Sequence, residues 1–225
     1  PDRWDPVVAA GRDSLLSCFG YRYTSESVAD GCFAQGCYLL TLGAATPPES
    51  PTPSETAGVA AAWREVAPPD AAPRNDPLLV AADGGYYLMG GWRADPSGDD
   101  LQLRTGFRLD PVTRTWTPIA ELPEPSLSHP YTMAADVVGA TIYVHFRFEE
   151  MGELWAYDTA ADRWRKLMET DELDYFVSTQ DGLVKVLSDE GSSRLLLLSS
   201  DDQWTDLPRL PVGRRLFRLG DHQLG

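Results

Sequence analysis

Histidine and cysteine are the residue types in this sequence best suited to metal binding or catalysis. The chain has three of each, namely His129, His145, His222, Cys18, Cys32 and Cys37. The histidines do not share a metal-ligand spacing, and the sequence contains no Cys-x-x-Cys pair. It also lacks a nucleophile motif, a phosphate-binding loop and a placeable pair of catalytic carboxylates. We therefore expect a binding protein rather than an enzyme, with no metal and no cofactor, and we expect His145 to be buried and hydrogen-bonded.

The charge of the chain limits the kinds of partner it could bind. With 19 basic and 34 acidic residues, the formal net charge is −15. Nucleic acids and anionic membranes would repel such a protein, so we expect neither as a partner. Arg209, Arg214, Arg215 and Arg218 form the one basic cluster. It could hold an acidic peptide or, as we slightly favour, neutralise the nearby acidic surface around Asp201 and Asp202.

The number of cysteines and the N-terminal residues indicate the cellular compartment of the protein. Secreted disulfide scaffolds usually have more cysteines, in even numbers, so the sequence favours a reducing, cytoplasmic compartment. No apolar run approaches the length of a membrane span. The chain begins at Pro1 without a signal peptide, and we expect it to be part of something longer.

A tryptophan pattern repeats along the chain. Five tryptophans are followed three residues later by an aliphatic residue, and the pairs are Trp4/Val7, Trp63/Val66, Trp116/Ile119, Trp164/Leu167 and Trp204/Leu207. Their spacings of 59, 53, 48 and 40 residues indicate repeated structural units. We expect the later four tryptophans to pack in the core.

The residues before two of these tryptophans predict a tight hairpin. Asp110 and Asp158 each lie six residues before a tryptophan and follow an alternating apolar run. An Asp at the end of a strand can accept hydrogen bonds from backbone N–H groups further along and so start a turn. The tryptophan then opens the returning strand.

Two further strands are predicted upstream in each unit. The second strands are continuous apolar runs, which are typical of strands covered on both faces. They are Cys37–Gly43, Gly85–Gly91, Ala140–Phe146 and Gly182–Leu187, with Leu15–Tyr23 as an extra strand in the first unit. Small-residue runs such as Leu78–Ala82 and Met133–Val138 precede them, which makes four strands per period.

This order of strands resembles the kelch repeat, one blade of a β-propeller. A small apolar strand leads to a Tyr-containing strand ending in Gly90-Gly91, then to a strand ending in Asp110, and finally to a Trp. The resemblance implies an all-β fold of four-stranded antiparallel blades. We expect one propeller domain over residues 1–225, of six blades with part of the ring missing from this chain. Residues 44–62, rich in Pro, Ser, Thr and Glu, are expected to form a flexible loop insertion.

The resemblance also implies a function and a binding face. Kelch propellers of ubiquitin-ligase adaptors bind substrate with residues just after the glycine pair and just before the first strand of a blade. Carried onto this chain, these places give Asp76, Arg93, Tyr131, Thr132, Arg147, Phe148, Tyr175, Arg214 and Arg215. The expected partner is a protein or peptide motif, with a cullin bound through a BTB or F-box domain outside the chain. The alternatives are a sugar-binding or sugar-modifying enzyme, similar to galactose oxidase or a sialic-acid isomerase, and a cytoskeleton-binding kelch protein.

Overall fold

The structure is a computed structural model. In it the chain forms two compact units, Pro1–Glu124 and Pro125–Gly225. It describes residues 7–18, 21–22, 32–33, 36–42, 62–69, 74–94, 100–124, 132–147, 151–171, 175–189, 192–199 and 202–208. Within these ranges the chain forms β-strands and no helix, so no described helix is available to cross a membrane. The chain is all-β, as predicted, and the single-domain boundary 1–225 stays a prediction.

The first unit contains two four-stranded antiparallel sheets. Sheet 1 consists of β1 (Val7–Ala10), β2 (Ser14–Cys18), β5 (Cys37–Thr41) and β6 (Ala62–Val66), with the short hairpin of β3 (Tyr21–Arg22) and β4 (Cys32–Phe33) between β2 and β5. Sheet 2 consists of β7 (Leu78–Ala82), β8 (Gly85–Met89), β11 (Gly106–Asp110) and β12 (Thr115–Ile119). A second hairpin, β9 (Trp92–Ala94) with β10 (Asp100–Gln102), lies between β8 and β11.

The second unit repeats this plan without described hairpin insertions. Sheet 3 consists of β13 (Thr132–Val138), β14 (Thr141–Arg147), β15 (Met151–Asp158) and β16 (Arg163–Asp171). Sheet 4 consists of β17 (Tyr175–Thr179), β18 (Gly182–Asp189), β19 (Ser192–Leu198) and β20 (Trp204–Asp206). In all four sheets the member strands pair in the order in which they follow along the chain, so every sheet is an antiparallel meander.

The predicted Asp turns are present. The Asp110 carboxylate accepts hydrogen bonds from the backbone N–H groups of Val112 and Thr113, at 2.7 and 3.1 Å. These bonds lower the pKa of Asp110. Asp158 accepts equivalent bonds from Ala160 and Ala161, both at 3.0 Å. Each carboxylate thereby satisfies N–H groups that the hairpin leaves free of ladder partners.

A further feature of these hairpins was not predicted. The residue two before the tryptophan has a left-handed backbone in three sheets, at Arg114 (φ 58°), Asp162 (φ 48°) and Asp202 (φ 61°). Left-handed φ is costly for residues with a side chain, so the turn geometry must be held by the pairing of the two strands. In sheet 3, the hydroxyl of buried Tyr157 also donates to the Asp162 carboxylate at 2.6 Å.

Two strand assignments in sheet 1 were wrong. Cys37–Gly43 was predicted as the second strand, but β5 is the third strand, because Ser14–Cys18 already pairs between β1 and β5. The predicted extra strand Leu15–Tyr23 therefore overlaps β2, the second strand of sheet 1. Ala62 is the first residue of β6 rather than the last of the predicted loop. Residues 43–61 of that loop, and Trp4, lie outside the described residues.

The core prediction for the tryptophans needs one correction. Trp116 and Trp204 pack against the buried clusters of their units, and the Trp164 ring lies 4.9 Å from that of Tyr157. Trp63, in contrast, is 52% exposed. Trp116, Trp164 and Trp204 are partly buried, so the shared local pattern does not by itself determine the burial of the tryptophan.

The structure joins Cys18 and Cys37 in a disulfide. The two residues are direct partners on β2 and β5, and both are fully buried. Since disulfides persist mainly in oxidising compartments, this bond weighs against the inference of a reducing compartment drawn from the cysteine count. The cytoplasmic location itself stays a prediction.

Candidate functional site

The predicted site residues that the structure describes all lie at one kind of sheet end. We call the loop end the end of a sheet where its second strand leads into its third. In an antiparallel meander, the segment before the first strand lies at this end too. Asp76 precedes β7 and Arg93 lies on β9, both at the loop end of sheet 2; Thr132, Arg147 and Tyr175 lie at the loop ends of sheets 3 and 4. Tyr131, Phe148, Arg214 and Arg215 lie outside the described residues.

Arg74, which was not among the predicted site residues, holds the loop end of sheet 2 together. It is 2% exposed. One terminal nitrogen donates to the carbonyl oxygens of Gly90 and Thr105, at 2.8 and 2.9 Å, and the other to the Thr105 hydroxyl at 2.6 Å. Its guanidinium carbon lies 5.2 Å from the centre of the Phe107 ring. This one side chain therefore ties the segment before β7 to the ends of β8 and β11.

A backbone bridge fixes the β9–β10 hairpin to the same segment. Asn75 and Trp92 exchange two backbone hydrogen bonds of 2.8 Å each. Gly91 permits this approach, because it has a φ of +91° and a Cβ there would lie 2.6 Å from the Asn75 carbonyl oxygen. The second glycine of the Gly90-Gly91 pair therefore allows the two backbone segments to approach closely.

Asp76 and Arg93 flank this bridge, one on each side of it, at the loop end of sheet 2. Each follows a bridged residue by one position, and both are exposed. Asp76 has a left-handed backbone, with a φ of 47°. The structure thus presents an acidic and a basic side chain to solvent from a backbone that Arg74 and the bridge hold in place. Such an arrangement can bind a polar peptide with little ordering cost.

In the second unit the structure pairs two of the predicted positions directly. Thr132 and Arg147 are backbone partners at the ends of β13 and β14, and Gly152 of β15 is the next partner of Arg147. Tyr175 begins β17 of sheet 4. The half-buried Arg147 side chain lies on the same face of β14 as His145, two residues before it.

His145 is buried and hydrogen-bonded, as predicted. It is 5% exposed, and its Nε2 atom lies 2.8 Å from the Thr170 hydroxyl of β16, two strands away. This bond passes over β15, which has Gly152 at the crossing point. A Cβ at Gly152 would lie 2.5 Å from the Thr170 hydroxyl oxygen and would block the bond. The imidazole also meets the Phe176 ring edge-on at 4.9 Å.

Burial and nearby positive charge keep this histidine neutral. Desolvation, followed by repulsion from Arg147 and Lys185, lowers the pKa of His145 from 6.5 to about 4. Lys185 is itself 6% exposed and pairs with Phe176 on the neighbouring strand. We assign His145 a structural role, because its neutral ring is buried and hydrogen-bonded to Thr170 and does not face solvent.

Arg74, Thr170 and Lys185 were not predicted from the sequence as contributors to the packing around these residues. Buried Arg and Lys are rare, and nothing in the local pattern separates them from surface residues. An arginine four residues before a predicted first strand was the available signal for Arg74. Across the described ranges, no group of three His, Cys, Asp or Glu side chains is placed to hold a metal ion.

Comparisons with known proteins support the fold alone. No protein-family model and no curated protein matches the sequence. Among the matching solved structures is that of a protein named YjhT, with a TM-score of 0.57 and 14% sequence identity. The match covers 94% of this chain and 68% of YjhT. At that identity, the similarity extends to the arrangement of the strands and not to any activity.

Proposed function

We propose that this chain forms four blades of a six-bladed kelch-type β-propeller, and that the loop ends of its blades bind a protein partner. The repeated meander sheets, the Asp turns and the tryptophan of each fourth strand support the kelch assignment. The four sheets match 68% of YjhT, so the rest of that protein is long enough for about two more sheets of similar length. A total of six sheets is within the range of blade numbers in known propellers.

The observation that carries the binding proposal is the held loop end of sheet 2. Arg74 and the Asn75–Trp92 bridge use buried and backbone groups to display Asp76 and Arg93. Arginine forms paired hydrogen bonds with carboxylates and stacks on aromatic rings, and for this reason it is common at protein interfaces. A peptide segment with an acidic or amide side chain is the ligand that suits these two residues.

The proposed cellular role is substrate recognition for a cullin-RING ubiquitin ligase in the cytoplasm. The cullin would bind a BTB or F-box domain outside residues 1–225. This role rests on the resemblance to kelch adaptors. The net charge of −15 supports a protein partner over a nucleic acid or an anionic membrane.

One observation favours a second candidate function. The buried Cys18–Cys37 disulfide suits a protein of an oxidising compartment, where a ubiquitin-ligase adaptor would not work. The second candidate is therefore a sugar-binding or sugar-modifying protein on the same fold. The thiol state decides between the two: trapping free thiols in living cells and then mapping Cys18 and Cys37 should find them reduced for an adaptor and disulfide-bonded for the alternative.

The binding face is tested by a paired substitution with a matched control. Asp76→Asn together with Arg93→Ala removes one charge of each sign and keeps a residue that tolerates left-handed φ at position 76. Arg12→Ala with Asp13→Asn makes the same charge change at exposed residues of a turn in the same unit. We expect the first pair to weaken retention of co-purifying proteins by about tenfold or more, as for interface hot spots, and the control pair to leave it unchanged.

An unchanged set of retained proteins in the Asp76/Arg93 variant would refute the proposed face. Equal losses in both variants would point to general surface charge instead of a site. Circular dichroism and melting curves of all three proteins should coincide, because each substituted side chain is exposed.

A further inference from the structure

The Cys18–Cys37 disulfide lies at the loop end of sheet 1. Cys18 is the last residue of β2 and Cys37 is the first residue of β5, and the two are direct backbone partners. Both cysteines are 0% exposed and belong to a buried cluster that includes Leu79 and Leu88 of sheet 2. The bond therefore crosslinks the second and third strands at the point where the chain leaves the sheet.

The other three sheets have a noncovalent pair at the equivalent place. This place is found by counting three residues back from the third-strand partner of the tryptophan, which is Leu40 in sheet 1 and Leu109 in sheet 2. The equivalent pairs, with the second-strand residue first, are Met89/Gly106, His145/Leu154 and Val186/Leu195. All six of these residues are buried. A buried pair at this place thus needs no crosslink in three of the four described sheets.

Sheet 1 differs in the segment that its bond closes. The two cysteines are 19 residues apart in sequence, and the β3–β4 hairpin lies between them. Sheet 2 has the β9–β10 hairpin at the same place, where Asn75 and Trp92 exchange two backbone hydrogen bonds and the Leu103 N–H donates to the Gly91 carbonyl oxygen at 2.8 Å. The Cys18–Cys37 bond closes the base of the β3–β4 hairpin covalently.

We propose that Cys18 and Cys37 form a redox latch for this hairpin. The disulfide holds the β3–β4 hairpin to sheet 1, and the dithiol form releases the hairpin while the four strands of sheet 1 stay folded. The dithiol form keeps its packing because a reduced cysteine behaves as a small apolar residue, and packing with strand pairing suffices for the equivalent pairs of the other sheets. The two redox states therefore differ chiefly in how freely the hairpin opens.

The latch opens and closes by thiol–disulfide exchange. To open it, a thiolate of a reductant, either a small thiol such as glutathione or a dithiol protein, attacks one sulfur of the bond, and the other cysteine leaves as a thiolate that takes up a proton. A second reductant thiolate then attacks the bound reductant sulfur and releases the remaining cysteine. Two reductant thiols thereby become a disulfide, and the protein gains two thiols. A small disulfide, such as oxidised glutathione, reverses the reaction.

The position of the hairpin connects the latch to partner binding. The hairpin lies at the loop end of sheet 1, which is the kind of sheet end at which we propose that a partner binds. A hairpin that is already held costs less to order in a complex, so the disulfide form should bind more tightly. This regulatory step rests on the proposed function. In the cytoplasm proposed for an adaptor, the dithiol is the resting state and oxidation closes the latch.

Trypsin measures whether the hairpin is held. Arg22 is the only Lys or Arg between Cys18 and Cys37, so cleavage after Arg22 reports on the β3–β4 hairpin. Cleavage after Arg93, in the β9–β10 hairpin, is the internal control. With Cys32→Ser as background to prevent reshuffling, the disulfide form is compared with protein that has been reduced and then freed of reductant under argon.

A matched variant imitates the open latch without free thiols. Cys18→Val together with Cys37→Leu installs the side chains that sheet 4 has at the equivalent place. Cys18→Ala together with Cys37→Ala replaces it if the larger side chains prevent folding. The disulfide form, the reduced form and the variant are also compared for their retention of co-purifying proteins, alongside the Asp76/Arg93 variant.

We expect reduction to speed cleavage after Arg22 by at least about tenfold and to leave cleavage after Arg93 unchanged. The Cys18→Val/Cys37→Leu variant should match the reduced protein. In glutathione buffers that range from about equal amounts of thiol and disulfide to about a thousandfold excess of thiol, mass spectrometry of trapped thiols should show Cys18 and Cys37 converting together. The disulfide form should retain co-purifying proteins at least about threefold more strongly than the reduced form and the variant.

Four results would overturn the inference. Equal cleavage after Arg22 in both redox forms would mean that the bond does not hold the hairpin, and faster cleavage after both Arg22 and Arg93 would mean that it stabilises the whole unit. A bond that survives the largest thiol excess would be a permanent crosslink. Retention that is the same in both redox forms, yet lost in the Asp76/Arg93 variant, would remove the regulatory step and leave the proposed binding face intact. The cleavage and glutathione measurements need no partner, so failure of the latch is distinguishable from failure of the proposed binding.

Discussion

Lowering the pH should destabilise the second compact unit through His145. The folded chain holds this imidazole neutral, with a pKa lowered from 6.5 to about 4 by burial and by the positive charges of Arg147 and Lys185. In the unfolded chain the same group has its ordinary value. Between these two values the unfolded state binds a proton that the folded state does not, so stability falls as the pH falls through this window.

The size of the effect follows from the two pKa values. Between pH 7.5 and 5, protonation of the unfolded state should cost the folded protein about 2 kcal/mol, and the loss should level off at about 3 kcal/mol below pH 4. The non-titrating control is His145→Gln, whose amide can still reach the Thr170 hydroxyl. It should lack this part of the pH dependence.

Urea unfolding of both proteins at pH 7.5, 6 and 5 measures the difference. His129 and His222 also titrate in this range, but they are present in both proteins, so their contribution cancels when the two pH profiles are subtracted. The wild-type protein should lose about 2 kcal/mol relative to the variant on going to pH 5. Parallel profiles would refute the reasoning, because they would mean that His145 is protonated in the folded state as easily as in the unfolded one.

Three other substitutions have predicted effects on the free energy of unfolding. Arg74→Met should cost about 3 kcal/mol or more, because it removes three hydrogen bonds from a buried guanidinium. Gly152→Ala should cost about 2 kcal/mol, because the new methyl group would collide with the Thr170 hydroxyl and a backbone oxygen. Arg114→Gly should stabilise by about 0.5–1 kcal/mol, because it relieves a left-handed φ of 58°. Urea titration at neutral pH measures all three.

Matched controls separate these mechanisms from general effects. Arg104→Met removes a more exposed arginine of the same unit and should cost less than about 1 kcal/mol. Arg163→Gly, at the start of β16, should destabilise by about 0.5–1 kcal/mol. If Arg74→Met costs no more than Arg104→Met, Arg74 does not hold the loop end. A stabilised Gly152→Ala protein would contradict the close packing of β14, β15 and β16, and a destabilised Arg114→Gly protein would contradict the turn geometry.

The turns and strands were predictable because their causes are local. Asp110 bonds to backbone groups two and three residues ahead, and the Trp116 strand begins directly after that turn. Alternation and apolar runs likewise located the second and third strands of sheets 2 and 3. The assignment failed in sheet 1, where Cys37–Gly43 is as apolar as a second strand, and only its pairing with both β2 and β6 shows that it is the third.

The candidate site was predictable only in outline. Family resemblance directed attention to the loop ends, and the structure places Asp76 and Arg93 on either side of the Asn75–Trp92 bridge in one unit and Thr132 beside Arg147 in the other. The residues that hold these positions were not predicted. Arg74 acts on Thr105, 31 residues away in sequence, and such contacts leave no mark in a local pattern.

The sequence by itself determined the repeat of four strands, the Asp turns and the acidic charge that disfavours nucleic acids as partners. Each of these depends on residues close in the chain or on composition. Only the tertiary structure decided that Trp116 is packed and Trp63 open, that Cys18 meets Cys37, and that Arg74 bonds to Gly90 and Thr105. The physical reason is that burial and pairing depend on which sheet lies opposite, and an identical local motif is core in one sheet and surface in another.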